Sequence, residues 1–166
     1  MLRRPSLLSL IAFTAGAFTG CAPPPRPVVT ALPGEAVETL EGATTDLAHV
    51  LKGRVALVSL WATWCAACDR EVDALNRLAD RTASRGDALV VGVAVGESKE
   101  TVGAFVRRRG LRYPQLLDEE FHLADALGER DVPATLVVDR TGRIVHRGEA
   151  LDAAARAAFG DALTRP

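Results

Sequence analysis

Neither sign of charge dominates this chain of 166 residues: 20 lysines and arginines stand against 21 aspartates and glutamates. Without the first twenty residues, which hold two arginines and no acids, 18 basic side chains face 21 acidic ones. That balance excludes the electrostatic footprint of a nucleic-acid binder. Lysine is almost missing, with only Lys52 and Lys99, and nothing about function follows from that. The histidines, His49, His122 and His146, are scattered, and none stands at metal-ligand spacing from another ligand. No internal repeat is present. The apolar run at 6–18 carries no charge, yet it is too short to span a bilayer comfortably. Cysteine is scarce as well, three in the whole chain, so each one needs a reason.

Two of the three stand in Trp64-Cys65-Ala66-Ala67-Cys68. The pair follows a run at 55–61 that reads as a buried strand and precedes an amphipathic helix over 69–85. A Cys-x-x-Cys at a strand-to-helix junction is a setting for redox work. Thiol–disulfide exchange needs an attacking thiolate, and the amide dipoles of a helix N-terminus stabilise that anion. Cys65 is expected at the helix mouth, partly exposed, with Cys68 one turn further in to resolve a mixed disulfide.

The third cysteine, Cys21, closes a different segment. Arg3 and Arg4 precede the apolar run, which ends in Phe18-Thr19-Gly20-Cys21. Two arginines, an apolar run and small residues have the layout of a secretory signal over 1–20. Small residues before a cysteine at this distance resemble the lipobox of bacterial lipoproteins, where the cysteine is acylated. Phe18 departs from the usual leucine there. An ordinary cleaved signal and an uncleaved anchor are the alternatives. If Cys21 carries lipid, the remaining pair is Cys65 and Cys68. Residues 21–33, rich in proline, read as an extended tether holding a folded domain over 34–166 clear of a membrane. Export would place the thiols in an oxidising space, where a Cys-x-x-Cys is a disulfide unless kept reduced.

With 48% hydrophobic and 25% charged residues, the rest reads as one globular domain. Residues 35–50 suggest a short hairpin with a helical turn. Residues 88–95 (ALVVGVAV) read as a second buried strand ended by Gly96. Ser98 can cap a helix presenting Val102, Phe105 and Val106. A short strand is expected at 115–117. Asp118 is then expected to open a short helix carrying Phe121, Ala124 and Leu127. Strands at 134–138 and 143–147 flank Asp139-Arg140-Thr141-Gly142, a hairpin turn. Asp152 can cap a last helix to about Leu163. The alternation implies a mixed sheet with helices on both faces.

These elements, with Trp61-Ala62-Thr63-Trp64-Cys65 and Val132-Pro133-Ala134-Thr135, resemble the thioredoxin superfamily, and within it the extracytoplasmic TlpA/ResA-like thiol–disulfide oxidoreductases. Lys52-Gly53-Arg54, Val95-Gly96-Glu97-Ser98-Lys99 and Val137-Val138-Asp139 add to the likeness, which covers about 34–163. It implies an α/β thioredoxin fold with an N-terminal hairpin and a TlpA-like insertion. It also implies that Val132-Pro133 is a cis-proline loop beside the disulfide, with Pro133 barring metal ions and Val132 pairing with a substrate strand. A glutamate three residues after the second cysteine, here Glu71, lies near the thiols in that branch and tunes them or relays protons. The alternative is a surface glutamate favoured by the helix dipole. Ser59 stands where ordinary thioredoxins carry a buried aspartate, which adds weight to Glu71. Trp64 is expected to shield the disulfide and contact partners, and Trp61 to lie in the core.

Ala67 replaces the proline common before the second cysteine. Ala66 and Ala67 supply no cation, and Asp69 adds a negative charge that disfavours the thiolate. A reductant or mild exchanger is therefore expected, not a strong oxidant. The resemblance implies protein thiol and disulfide substrates, apocytochrome c among them. It further implies a membrane thiol reductant as donor, location on the periplasmic side, and no organic cofactor. The rival is a copper carrier without redox turnover, using Cys65, Cys68 and one histidine; His146 in the last hairpin keeps it open. The Pro-x-x-x-Thr-x-x-Cys spacing of a peroxidatic site is absent. The arginines at 107, 108, 109 and 112 read as a solvated face complementing a helix end.

Overall fold

Two apolar runs set the centre of the fold. In the computed structural model, which describes residues 30–165, Val55–Trp61 (β3) is buried at every one of its seven positions. Ala88–Val95 (β4) is buried at all but Leu89. The two pair in parallel from Val55↔Ala88 to Trp61↔Ala94. Strands covered on both faces read as continuous apolar runs, which is why both bounds were visible in the sequence. The expected leader, Cys21 and the tether up to residue 29 lie outside the described residues.

Around this pair the chain adds β1 (Ala36–Thr39), β2 (Thr44–Asp46), β5 (Gln115–Asp118), β6 (Ala134–Val138) and β7 (Ile144–Gly148). The sheet has seven strands in the order β2-β1-β5-β4-β3-β6-β7. β3, β4 and β5 are parallel, while β1, β6 and β7 run antiparallel to their neighbours. Among the described residues the helices are α1 (Leu47–Leu51), α2 (Ala66–Thr82), α3 (Lys99–Arg109), α4 (His122–Leu127) and α5 (Ala153–Thr164). None of the described helices is long and apolar enough to cross a membrane.

Strand alternation divides the core between two faces. Leu47 and Leu51 of α1 and Leu123 and Leu127 of α4 pack with Val58, Leu60, Val93 and Leu136 on one face. On the other, Leu75 and Leu78 of α2 and Phe159 of α5 pack with Val55, Leu57 and Val137. Val72 of α2 and Phe105 of α3 join Trp61 and both cysteines further along that face. The expected mixed sheet with helices on both sides, an N-terminal hairpin and an inserted α3–β5 unit is the architecture found.

Phe121 departs from expectation. It is not on the inner face of α4 but precedes the helix in a left-handed conformation (φ 62°), 44% exposed. Its ring lies over Gly96, itself at φ 69°, whose missing Cβ leaves the room. The helix is capped instead from within β5: the buried Asp118 accepts from the Leu123 and Ala124 N–H groups at 3.1 and 2.8 Å. Ala31, within the proline-rich stretch ahead of Gly34, bridges Arg143 at the edge of the sheet.

Candidate active site

The strand-to-helix corner after β3 is built by one carboxylate and a sulfur. Glu97, just past β4, accepts from the Thr63 N–H through Oε2 at 2.6 Å and from the Thr63 hydroxyl through Oε1. That fixes the backbone two residues before Cys65. Cys65 is the N-cap of α2, its Sγ accepting from the Cys68 N–H at 3.1 Å. Helix amides thus point at the sulfur that must carry negative charge in exchange. Cys65 and Cys68 are joined as a disulfide, with Cα atoms 5.2 Å apart.

The expected partial exposure of Cys65 is not found: Cys65 is 6% and Cys68 5% exposed. Both sulfurs belong to the cluster with Trp61, Val72 and Phe105, and Val132 packs against that same cluster. Neighbouring Trp64 is 69% exposed and offers the apolar surface beside the disulfide. Trp61 is core, as expected; it donates to Gln115 Oε1 at 3.0 Å and its ring lies 5.1 Å from that of Phe105.

A cavity of about 450 Å³ opens beside this corner, lined by Ala67, Arg70, Glu71, Asp131, Val132, Pro133, Glu149 and Ala150. The Val132–Pro133 bond is cis. The fold therefore gathers Glu71, Val132, Pro133 and a residue from between the cysteines into one recess. Glu71 Oε1 accepts from the Leu151 N–H at 2.8 Å, while its Oε2 is buried. Burial pushes the Glu71 carboxyl above the ordinary range, opposed by the Leu151 bond and by Arg156 and Arg70. The folded protein thus holds this proton more tightly than the unfolded chain. Stability falls as pH rises above the ordinary glutamate value of about 4.3 and levels off above the folded value. Glu71→Gln keeps an acceptor for Leu151 and removes the charge. Thermal unfolding should show its Tm gain over the unsubstituted protein to be larger at pH 7 than at pH 4.

Asp69 does not act as a bare charge beside Cys65. Arg109, at the end of α3, pairs with its carboxylate and donates to its carbonyl at 3.1 Å. Arg112 likewise forms two bonds to Asp80 of α2, at 3.1 and 2.6 Å. Arg109 and Arg112 thus clamp α2 to the end of α3 and the segment after it. Asp69's push against the thiolate is correspondingly offset. Arg109→Ala should restore it, moving the reduction potential of the pair by about 10–20 mV to the negative side; that follows from about 0.5–1 kcal/mol per exposed charge near a helix N-terminus. Equilibration of the variant with a glutathione buffer reads this directly.

Sequence reasoning missed Glu97 and Arg109 as site-building residues, because their partners are 34 and 40 residues away. In the sequence, Glu97 stands out only as part of a strand end and helix entry. Among the described residues no three His, Cys, Asp or Glu side chains gather as a metal site.

Residues 28–147 match the AhpC/TSA family. The chain is similar to Thiol-disulfide oxidoreductase ResA of Halalkalibacterium halodurans, 32% identical over 109 residues, which are 66% of this chain and 61% of that protein. The chain thus spans less than two thirds of the length of such curated relatives. Among solved structures it resembles a secreted thiol-disulfide isomerase from Corynebacterium glutamicum, with 25% identity and a TM-score of 0.70 over 81% of this chain and 86% of the other. It also resembles a thiol:disulfide interchange protein of the thioredoxin family from Chlorobium tepidum, with 26% identity and a TM-score of 0.67 over 81% and 96%. The fold is thioredoxin-like.

Proposed function

The chain belongs to the AhpC/TSA family, and from that premise we propose that it is an extracytoplasmic thiol–disulfide oxidoreductase that reduces disulfides in proteins. The observation that carries this reading is the Cys65–Cys68 disulfide at the N-terminus of α2, flanked by the Val132–Pro133 loop and exposed Trp64. In the reduced form, the Cys65 thiolate attacks one sulfur of a substrate disulfide and expels the other as a thiolate. Cys68, once deprotonated, attacks Cys65 Sγ, closes the Cys65–Cys68 bond and releases the second substrate thiolate. Two electrons pass to the substrate, and an external dithiol must return them. Glu71, lining the same recess, assists proton movement. Val132 and Pro133 shape the substrate groove, and Trp64 supplies an apolar contact.

The ResA relatives and the secreted neighbour support a site outside the cytoplasm. In this reading Cys21 carries the lipid anchor, a membrane thiol reductant is the electron donor, and apocytochrome c is among the substrates. The test is the reduction potential of the pair in the full chain, equilibrated against glutathione and thioredoxin couples. A value of about −200 mV or lower supports a reductant, and one near about −120 mV marks an oxidant and overturns the proposed direction.

A further inference from the structure

A line of polar and small residues crosses the α2 face of the sheet. Directly paired residues share a face, and the register places Gln115, Gly92, Ser59, Thr135 and Gly148 side by side across β5, β4, β3, β6 and β7. This row separates the cluster holding the disulfide from the cluster built on Leu57, Leu75 and Val137. At its Gln115 end the side-chain amide is matched, by Trp61 and by the Tyr113 carbonyl at 2.9 Å. Toward its Gly148 end, three buried atoms find no partner among the described residues: Thr135 Oγ1, His146 Nε2 and, from α2, Glu71 Oε2.

Two of these meet at Gly148, and the third belongs to a carboxyl tied to the chain just beyond it. Thr135 faces Gly148 directly in the ladder. His146 Nε2 lies 3.1 Å, and the Ala150 carbonyl 3.7 Å, from where a Cβ on Gly148 would stand. Leu151, three residues on, holds the other oxygen of Glu71. Buried polar atoms without partners are rare, since nothing offsets their lost hydration. A polar recess offering about three partners is what an internal water requires.

We propose that internal water in the space left by Gly148 joins Thr135 Oγ1, His146 Nε2 and Glu71 Oε2 into one hydrogen-bonded cluster, with Thr135 and His146 as positioning residues for the Glu71 carboxyl. The Thr135 hydroxyl donates to the water. The water donates to Glu71 Oε2 and to His146 Nε2, whose ring carries its proton on Nδ1. The cluster gives Glu71 an inner hydrogen-bond partner where the sheet has Ser59 in place of an acid. The other charged or titratable groups acting on Glu71 are Arg70 on its own helix, Arg156 and Asp152 on and before α5, and Tyr113 before β5. β6 faces His146 with Val137 and Thr135, neither of which titrates. The cluster itself is independent of turnover; only its bearing on thiol chemistry rests on the function proposed above.

The test uses the full oxidised chain. Carbon-13 NMR of the Glu71 carboxyl gives its titration midpoint, and nitrogen-15 shifts give the His146 tautomer. Thr135→Val removes the donor while keeping the shape, and Gly148→Ala fills the space. Both should raise the Glu71 midpoint by about half a pH unit or more, since a bond to the charged form is lost. Thr135→Ser should restore it. An unmoved midpoint in folded Thr135→Val, or a His146 ring with its proton on Nε2, overturns the proposal. If Gly148→Ala does not fold, the Thr135→Val and Thr135→Ser pair decides alone. None of these readings requires disulfide turnover, so a chain inert toward disulfides leaves the outcome intact.

Discussion

Cys65→Ser is expected to bring disulfide reduction to background, a loss of at least about a thousandfold, while Cys68→Ser keeps the first step and stalls after it. The difference follows from where the two sulfurs sit. Cys65 caps α2, so its sulfur faces the helix amides that stabilise a thiolate. A serine hydroxyl there has no base to activate it and does not ionise near neutral pH. Cys68 lies one turn in, with Val72 and the rest of the apolar cluster around it. Without it, the bond between Cys65 and the substrate sulfur has no internal attacker. Cys68→Ser should therefore accumulate a mixed disulfide that runs as a larger, dithiothreitol-sensitive species on a non-reducing gel. Cys65→Ser should accumulate none. Trapping by Cys65→Ser and none by Cys68→Ser would mean that Cys68 is the attacking sulfur and that the order of steps is reversed.

The elements that were legible in the sequence are those specified by neighbours in the chain. β3 and β4 are continuous apolar runs and came out to the residue. The caps Ser98 and Asp152 lie three residues from the N–H groups they serve, and both were visible. The Cys-x-x-Cys needed only its junction. What stayed hidden depends on contacts between distant segments. Asp69 reads as a free acid until Arg109 is folded against it. Phe121 fits the helical spacing of α4, yet the open space over Gly96 takes its ring. Cys65 is enclosed because Val132 arrives from 67 positions later in the chain to pack against its cluster. Glu97 carries no local signal for holding Thr63, since β3 and β4 must first align in register.

Asp118 has the largest expected effect on stability, and its role likewise depends on the folded state. The sequence places it as the opening residue of a helix. In the fold it ends β5, 3% exposed, and both of its oxygens reach forward to N–H groups of α4. A helix of this length leaves its first amides without internal partners, and here they are buried where water cannot replace the carboxylate. Asp118→Ala leaves two such donors unmatched, at about 1–3 kcal/mol each, or about 2–6 kcal/mol in all. For a chain of this size that lowers Tm by about 5–15 °C. Asp139 supplies the comparison. It accepts from the Thr141 N–H and hydroxyl and from the Arg143 N–H at 2.6–3.0 Å, one contact more than Asp118, but in a solvated turn. Asp139→Ala should therefore cost only about 0.5–1.5 kcal/mol. The loss at Asp118 also reaches the candidate site. α4 leads into the loop carrying Val132 and Pro133, and Arg147 holds its far end through the Leu127 carbonyl at 3.1 Å and Glu129. With its N-terminus released, α4 is held by that second polar tie and by the packing of Leu123 and Leu127, so the Pro133 side of the recess loosens with the helix. Denaturation and disulfide exchange measured on one Asp118→Ala preparation should then fall together. Loss of stability with exchange unchanged at low temperature would separate α4 from the recess.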